Sequence, residues 1–309
     1  MSTRKSLGKC ILSATLSLLL AGCSMGSIFQ PPTPTPMPSG MVDVGGYSLY
    51  YKCSGQGSST VILENGGGGV MSDWDDVFDG IKNTTQVCMY DRVNLGRSDS
   101  VSGTRTLYDM TRDLQALLKN GHIGGSYILV GWSFGGMLVR IYADQHPKDV
   151  VGVVLLDSAH PDMGDRLLAC LPPESEGEAE NVQFARQYTT WISDSSKGSP
   201  FTSGEGMGWD TRTNNQQARD VETLGDVPLV VISQAPNIPG LGLPLFTSRG
   251  LLPAEIDACM QQTWQDMQDE LAGLSSNTTR LTARGGHMIP IEQPELVVNA
   301  IIDLVEQLR

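Results

Sequence analysis

The stretch Tyr127-Ile128-Leu129-Val130-Gly131-Trp132-Ser133-Phe134-Gly135-Gly136 decides the fold of this chain. Its first six residues are almost entirely apolar, which is typical of a strand that is buried on both faces. Glycines two positions before and two positions after Ser133 permit a tight turn from a strand into a helix. The sequence therefore predicts that Ser133 projects above a sheet, at the N-terminus of a helix.

A serine hydroxyl at such a turn is a candidate nucleophile, but it reacts poorly without a base. The chain has four histidines, namely His122, His146, His160 and His287. His287 lies in a glycine-containing loop between the last predicted strand and the last predicted helix, from which an imidazole can reach the serine. We therefore assign His287 as the candidate base, with His160 as the alternative.

Outward from this turn, apolar strand patterns alternate with amphipathic helix patterns. The predicted strands are residues 42–44, 47–53, 60–64, 86–90, 127–132, 150–157, 228–233 and 279–283. The predicted helices are residues 107–120, the segment after Ser133 to about residue 145, and residues 254–274 and 294–308. This alternation predicts an α/β fold with a mostly parallel sheet and helices on both faces.

One long stretch interrupts the alternation. Residues 159–225 have no strand pattern and mix acidic, glycine and aromatic residues. An insertion of this length between two core strands is typical of a functional cap. We therefore expect one domain, residues 41–309, with a cap insertion at about residues 159–225.

The N-terminal segment indicates export. A positively charged start followed by an apolar run over residues 10–20 is typical of a signal peptide. The run is too short for a membrane-spanning helix, which needs about 20 residues. Leu20-Ala21-Gly22-Cys23 resembles the bacterial lipoprotein signal, which implies removal of residues 1–22 and acylation of Cys23. Proline-rich residues 23–40 form the expected spacer. We expect an exported protein held at a bacterial membrane by its N-terminal lipid; the alternative is a plain signal peptide with Cys23 unmodified.

The composition narrows the classes of partner. The net charge of −13 argues against a nucleic-acid ligand and against charge-driven adhesion to anionic lipid. The lipid is therefore the only expected contact with a membrane. No cysteine or histidine cluster has the spacing of a metal site, so we expect no metal and no cofactor.

The cysteines indicate disulfides. Cys10 leaves with the signal peptide and Cys23 is acylated, so four cysteines remain, namely Cys53, Cys88, Cys170 and Cys259. An even number in an exported chain favours two disulfides, although three pairings and the alternative of free thiols are open at this point.

Over residues 41–309 the chain resembles the α/β-hydrolase superfamily. The resemblance rests on Glu64-Asn65-Gly66-Gly67, Tyr90-Asp91-Arg92 through Gly96 to Ser98-Asp99, residues 131–136, Leu155-Leu156-Asp157 and Gly286-His287. It implies an eight-stranded, mostly parallel sheet with a cap insertion between strands six and seven. Because strand two then lies antiparallel beside strand four, it also implies the disulfides Cys53–Cys88 and Cys170–Cys259.

The resemblance also implies an acidic residue that orients the histidine. In the superfamily this residue usually follows strand seven, yet no aspartate or glutamate occurs between Ser233 and Ala254. Members that depart from the rule place the acid after strand six, where Asp157 stands. We therefore assign Asp157, with Glu255 and Asp257 as weaker candidates.

Acyl transfer also needs donors for the developing oxyanion. The backbone N–H of Phe134 is one, and the resemblance implies that Gly67, after strand three, supplies the other. We interpret the nearby Asp91-Arg92 and Ser98-Asp99 as a structural ion-pair turn rather than as functional groups. Trp191, Trp209 and Trp264 are equally consistent with a pocket lining and with core packing.

These residues predict a serine hydrolase that cleaves a small carboxylic ester or a related acyl bond through Ser133, His287 and Asp157. A serine nucleophile argues against dehalogenase and epoxide hydrolase chemistry. Carbon–carbon bond hydrolysis, aminopeptidase and perhydrolase activity remain open on the same scaffold, as does a non-catalytic surface binding protein.

Overall fold

The structure is a computed structural model that describes residues 39–200, 205–242 and 251–309. The predicted signal peptide (residues 1–22), Cys23 and nearly all of the spacer (residues 23–40) lie outside these residues. Within the described ranges, no helix combines the length and the apolar character needed to cross a bilayer.

Eight strands form one sheet. They are β1 (Gly40–Asp43), β2 (Ser48–Ser54), β3 (Ser59–Glu64), β4 (Gln86–Tyr90), β5 (Ser126–Trp132), β6 (Val150–Leu156), β7 (Leu229–Ser233) and β8 (Thr278–Thr282). Their spatial order is β1-β2-β4-β3-β5-β6-β7-β8. Strand β2 runs antiparallel to both of its neighbours, β1 and β4, and the other neighbouring pairs of described strands are parallel. The expected mostly parallel, eight-stranded sheet is thereby confirmed.

Helices cover both faces of the sheet. Those that the structure describes are α1 (Asp75–Ile81), α2 (Leu107–Asn120), α3 (Phe134–Gln145), α4 (Met163–Leu168), α5 (Glu180–Ser193), α6 (Thr211–Arg219), α7 (Ala254–Ala272), α8 (Ile289–Glu292) and α9 (Pro294–Gln307). Helix α2 has the predicted bounds because Thr106 and Asp109 cap its first turn reciprocally.

Alternate residues of the central strands enter two different cores. Ile62, Leu129 and Val153 pack with α2 and α3 on one face of the sheet. Their neighbours along the same strands, such as Val61 and Ile128, pack with α1 and α9 on the other face. Burial on both faces explains why these strands are continuous apolar runs in the sequence.

The segment between β6 and β7 contains α4, α5, α6 and short 3₁₀ turns. Leu167 and Phe184 of this segment share a third apolar cluster with Met260 and Trp264 of α7. These helices, of which α5 has 14 residues, and the seven-residue α1 are not among the helices predicted from the sequence.

The structure contains the two expected disulfides. Cys53 and Cys88 are direct partners across the β2–β4 pair, with their Cα atoms 4.1 Å apart. Cys170 and Cys259 join the segment after α4 to α7 across 89 residues of sequence. The second bond therefore fastens the insertion to the main domain.

We expect that the double substitution Cys170→Ser/Cys259→Ser destabilises the domain without changing its fold. Closing a loop of 89 residues removes unfolded-state entropy equivalent to roughly 4–5 kcal/mol. Urea denaturation of both proteins under oxidising conditions measures the difference in the free energy of unfolding. Equal unfolding midpoints at equal m-values would contradict this expectation.

Candidate active site

The turn at Ser133 joins β5 to α3 and is sterically demanding. Ser133 has φ 53° and ψ −120°, outside the regions that non-glycine residues normally occupy. A Cβ added to Gly131 would lie 2.6 Å from the carbonyl oxygen of Gly135, and one added to Gly135 would lie 2.4 Å from that of Asn65. Only glycine fits at both positions, as the sequence pattern predicts. Such strained backbone typically costs about 1–3 kcal/mol and is held by the surrounding structure.

His287 lies against this serine. Its Nε2 is 2.9 Å from Ser133 Oγ, although 154 positions separate the two residues. The ring lies in the loop between β8 and α8 and is 5% exposed. The indole N–H of Trp132 donates to the carbonyl oxygen of His287 over 2.8 Å. The residue next to the serine therefore also fixes the loop that carries the histidine.

Asp157 lies on the opposite side of the imidazole. Its Oδ2 is 2.6 Å from His287 Nδ1, and the aspartate is fully buried. Its Oδ1 accepts from the backbone N–H of Gln234 at 3.0 Å and from the indole N–H of Trp264 at 2.8 Å. The carboxylate favours a proton on Nδ1, which leaves Nε2 to accept from the serine hydroxyl. Trp264 donates to this carboxylate, a role that its sequence context does not indicate.

The alternative candidates lie elsewhere. Asp257 accepts from the Gly240 N–H and from the Gln261 side chain, and Glu255 is exposed. His160 accepts at Nδ1 from the Asp162 N–H, and its Nε2 lies 3.3 Å from Glu270. Burial lowers the pKa of His160 to about 4, so this ring is neutral at pH 7.

The glycine-rich loop after β3 also lies against the serine. A Cβ on Gly66 would be 3.3 Å from Ser133 Cβ. The ring of Trp209, from the insertion, stacks on Phe134 with centroids 3.9 Å apart. The same indole covers Gly67, where an added Cβ would lie 2.6 Å from it. The indole of Trp209 thus contacts both Gly67 and the ring of Phe134, the two expected sources of oxyanion donors, while Gly66 lies against Ser133.

Arg92 contacts the carbonyl groups of this loop. The expected structural turn over Asp91-Arg92 and Ser98-Asp99 is present, since Ser98 Oγ donates to the Asp91 carbonyl, but Asp91 and Arg92 do not pair with each other. Asp91 instead accepts from the backbone N–H groups of Met71 and Arg97. Arg92 is 3% exposed and forms ion pairs with Glu64 and Glu205. Asp91 therefore stabilises the turn, whereas its neighbour Arg92 points to the glycine-rich loop and the carboxylates beside it.

All five N–H donors of the Arg92 guanidinium have acceptors. Nε and Nη2 donate to the Glu205 carboxylate at 2.7 and 2.8 Å. Nη2 also donates to the Gly66 carbonyl at 2.7 Å. Nη1 donates to the Glu64 carboxylate and, at 2.7 Å, to the Asn65 carbonyl. Burial lowers the pKa of Arg92, but the two carboxylates outweigh it and raise that pKa above its ordinary value. The guanidinium is therefore permanently charged.

Comparison with known proteins agrees with this architecture. A family model described as the alpha/beta hydrolase fold matches residues 59–210. "Uncharacterized protein YqjL" of Bacillus subtilis is 23% identical over 251 residues, covering 81% of this chain and 85% of that protein. "Probable transporter efuK" of Hormonema carpetanum is 26% identical over 303 residues, covering 87% of this chain but 43% of that protein. This chain thus spans less than half of the second relative.

Solved structures share the fold at low sequence identity. Alpha/beta hydrolase domain-containing protein 10 from mouse has a TM-score of 0.59 and 17% identity, covering 88% of this chain and all of that one. A variant of the meta-cleavage product hydrolase CumD has a TM-score of 0.58 and 15% identity, covering 87% and 98%. The sheet order, the family model and these structures together show that the chain has the α/β-hydrolase fold and support its resemblance to the α/β-hydrolase superfamily.

Proposed function

We propose that this protein is a serine hydrolase that cleaves a small carboxylic ester or a related acyl bond. The observation that carries the proposal is the continuous chain of contacts from Ser133 through His287 to Asp157, with distances of 2.9 Å and 2.6 Å. Nucleophile, base and orienting acid in this order are the arrangement that activates a serine hydroxyl. The fold alone would not support a choice of activity, because many chemistries share it.

In the proposed reaction, Ser133 Oγ attacks the ester carbonyl carbon while His287 Nε2 takes the hydroxyl proton. The negative charge on the carbonyl oxygen is stabilised by the backbone N–H groups of Phe134 and Gly67. The intermediate then collapses, the C–O bond to the alcohol breaks, and the proton on His287 passes to the leaving alkoxide. Water then adds to the acyl carbon while His287 takes one of its protons. The bond between this carbon and Ser133 Oγ breaks, Oγ receives the proton from His287, and the acid leaves.

We also propose that the protein is exported and anchored by a lipid on Cys23. The two disulfides support an oxidising location, because such bonds are rare in reducing compartments. Acyl chains would then hold the domain near a bilayer, each buried CH₂ contributing about 0.8 kcal/mol.

Ser133→Ala and His287→Ala are each expected to lower ester turnover roughly 10⁴-fold or more, because the two groups act as one unit. The measurement is hydrolysis of a short-chain nitrophenyl ester, together with labelling of Ser133 by a fluorophosphonate. His146→Ala, at the end of α3, is the control and should retain turnover. Wild-type protein that neither hydrolyses the ester nor reacts with the probe would refute the proposed activity.

Asp157→Asn is expected to lower kcat by roughly 10³–10⁴-fold while leaving the fold intact, because an amide no longer stabilises the imidazolium and favours the wrong tautomer. Steady-state kinetics on the same ester give the value, with circular dichroism as the check on folding. Asp257→Asn is the matched control, since that carboxylate bonds Gly240 and Gln261 instead. Unchanged turnover in Asp157→Asn would assign the acid elsewhere.

Cys23→Ser is expected to move the expressed protein from the detergent phase to the aqueous phase in a Triton X-114 separation, because the acylated thiol is lost. Cys10→Ser is the control, since it changes another N-terminal cysteine and leaves the proposed acylation site. Equal partitioning of wild type and Cys23→Ser would exclude lipid attachment at this residue.

A further inference from the structure

Glu205 lies in the insertion, yet its side chain reaches the loop after β3. It begins a short 3₁₀ turn (Glu205–Gly208) and is 7% exposed. Its carboxylate accepts from Arg92 Nε at 2.7 Å, from Arg92 Nη2 at 2.8 Å, and from the backbone N–H of Gly68 at 3.0 Å. One carboxylate thus joins the insertion both to the guanidinium and to the glycine loop.

That loop cannot fix its own conformation. Residues 66–69 are four consecutive glycines, which have the widest choice of backbone angles and lose the most entropy when ordered. Gly68 has φ 72°, a backbone conformation that residues with a side chain rarely adopt. Within the loop, the Gly69 N–H donates to the Gly66 carbonyl at 3.2 Å. The remaining restraints come from outside the loop, and the principal ones are Arg92 and Glu205.

These restraints act on the peptide that carries a proposed oxyanion donor. Arg92 Nη2 holds the Gly66 carbonyl at 2.7 Å. In a trans peptide the carbonyl and the following N–H point in opposite directions, so this bond turns the Gly67 N–H away from the guanidinium. Arg92 Nη1 holds the preceding carbonyl, that of Asn65, in the same way. The orientation of the Gly67 donor therefore depends on where Arg92 is held.

Glu205 is one of the two carboxylates that hold Arg92. The Glu205 carboxylate accepts from two of the five guanidinium N–H groups. Arg92 is buried, so water cannot take the place of this carboxylate unless the surrounding structure rearranges. A buried cation that loses one of its carboxylates must shift or become hydrated. We expect either response to shift the guanidinium relative to the Gly66 carbonyl, which accepts from Nη2.

The same insertion segment also contacts the second donor. Trp209, four residues after Glu205, stacks on Phe134 and covers Gly67. Its backbone is held by Arg105, whose N–H donates to the Gly208 carbonyl and whose carbonyl accepts from the Asp210 N–H. Residues 205–209 therefore touch the glycine loop and the residue after the nucleophile together.

We propose that Glu205 is a positioning residue that sets the oxyanion hole through Arg92 and Gly68, so that the hole is complete only when the insertion segment is in place. This inference rests on the proposed hydrolase function for its chemical meaning. Glu205 does not touch the reacting atoms and acts through the glycine loop.

The test compares Glu205→Ala and Glu205→Gln with wild type, using Glu222→Gln as the control because Glu222 is exposed near the end of the insertion. Hydrogen exchange of the peptide that contains residues 65–69 reports the loop directly, without any substrate. We expect exchange at this peptide to accelerate at least roughly tenfold in Glu205→Ala, and in the same direction in Glu205→Gln, which preserves side-chain volume. Glu222→Gln should match wild type.

A second readout separates an oxyanion-hole defect from a general loss of activity. Each protein is assayed with a nitrophenyl ester and with the matched thionoester, whose sulfur accepts hydrogen bonds weakly and gains little from the hole. Loss of one donor lowers kcat by about 10²–10³-fold in other serine hydrolases. We expect a fall approaching this size for the ester in Glu205→Ala, with KM changed less than about threefold. The ratio of ester to thionoester turnover should therefore fall.

Several outcomes would overturn the proposal. Exchange at residues 65–69 that equals wild type in both variants would show that Glu205 does not hold the loop. Equal losses for ester and thionoester would assign Glu205 a structural role only. Failure of the proposed function has a different signature: wild-type protein would cleave neither substrate and Ser133 would resist the fluorophosphonate, and the inferred role of Glu205 would fall with it.

Discussion

The site depends on one steric constraint, the sharp turn between β5 and α3. Gly131 and Gly135 approach neighbouring backbone so closely that no side chain fits, and Ser133 accepts an unfavourable φ of 53° between them. The turn sets the hydroxyl at the carboxyl edge of a parallel sheet. Asp157 leaves β6 at that edge and the loop of His287 follows β8 there. Three residues distant in sequence therefore meet because parallel strands end on the same side.

Much of this arrangement could be predicted from the sequence. The central strands are recognisable because both of their faces are buried, and the fold follows from their alternation with helices. The proximity of Ser133 and His287 follows from the chain order of their loops, although their chemical roles remain proposals. Asp157 was the best candidate acid because the usual position after strand seven holds no carboxylate; its contact with Trp264 depends on how α7 packs, which local sequence does not encode.

The contact between Glu205 and Arg92 could not be predicted from the sequence. They are 113 positions apart, and Glu205 follows a stretch without periodic hydrophobicity, so nothing local links them. The adjacency of Asp91 and Arg92 suggested a local ion pair, but a buried guanidinium is bound by the acceptors that surround it in space. Local patterns predict the eight strands and the helices α2, α3, α7 and α9, whereas the contacts between the insertion and the main domain depend on the three-dimensional path of the chain.

The four glycines after β3 have a consequence for protein engineering and for divergence among relatives. Point substitutions within this loop cannot reshape the site gradually, since an added side chain at Gly67 would meet Trp209. Adjustment has to be made remotely, through the residues that grip its carbonyls and amides. A chimera that exchanged the insertion between homologues would therefore also exchange Glu205 and Trp209, the residues of the insertion that contact this loop.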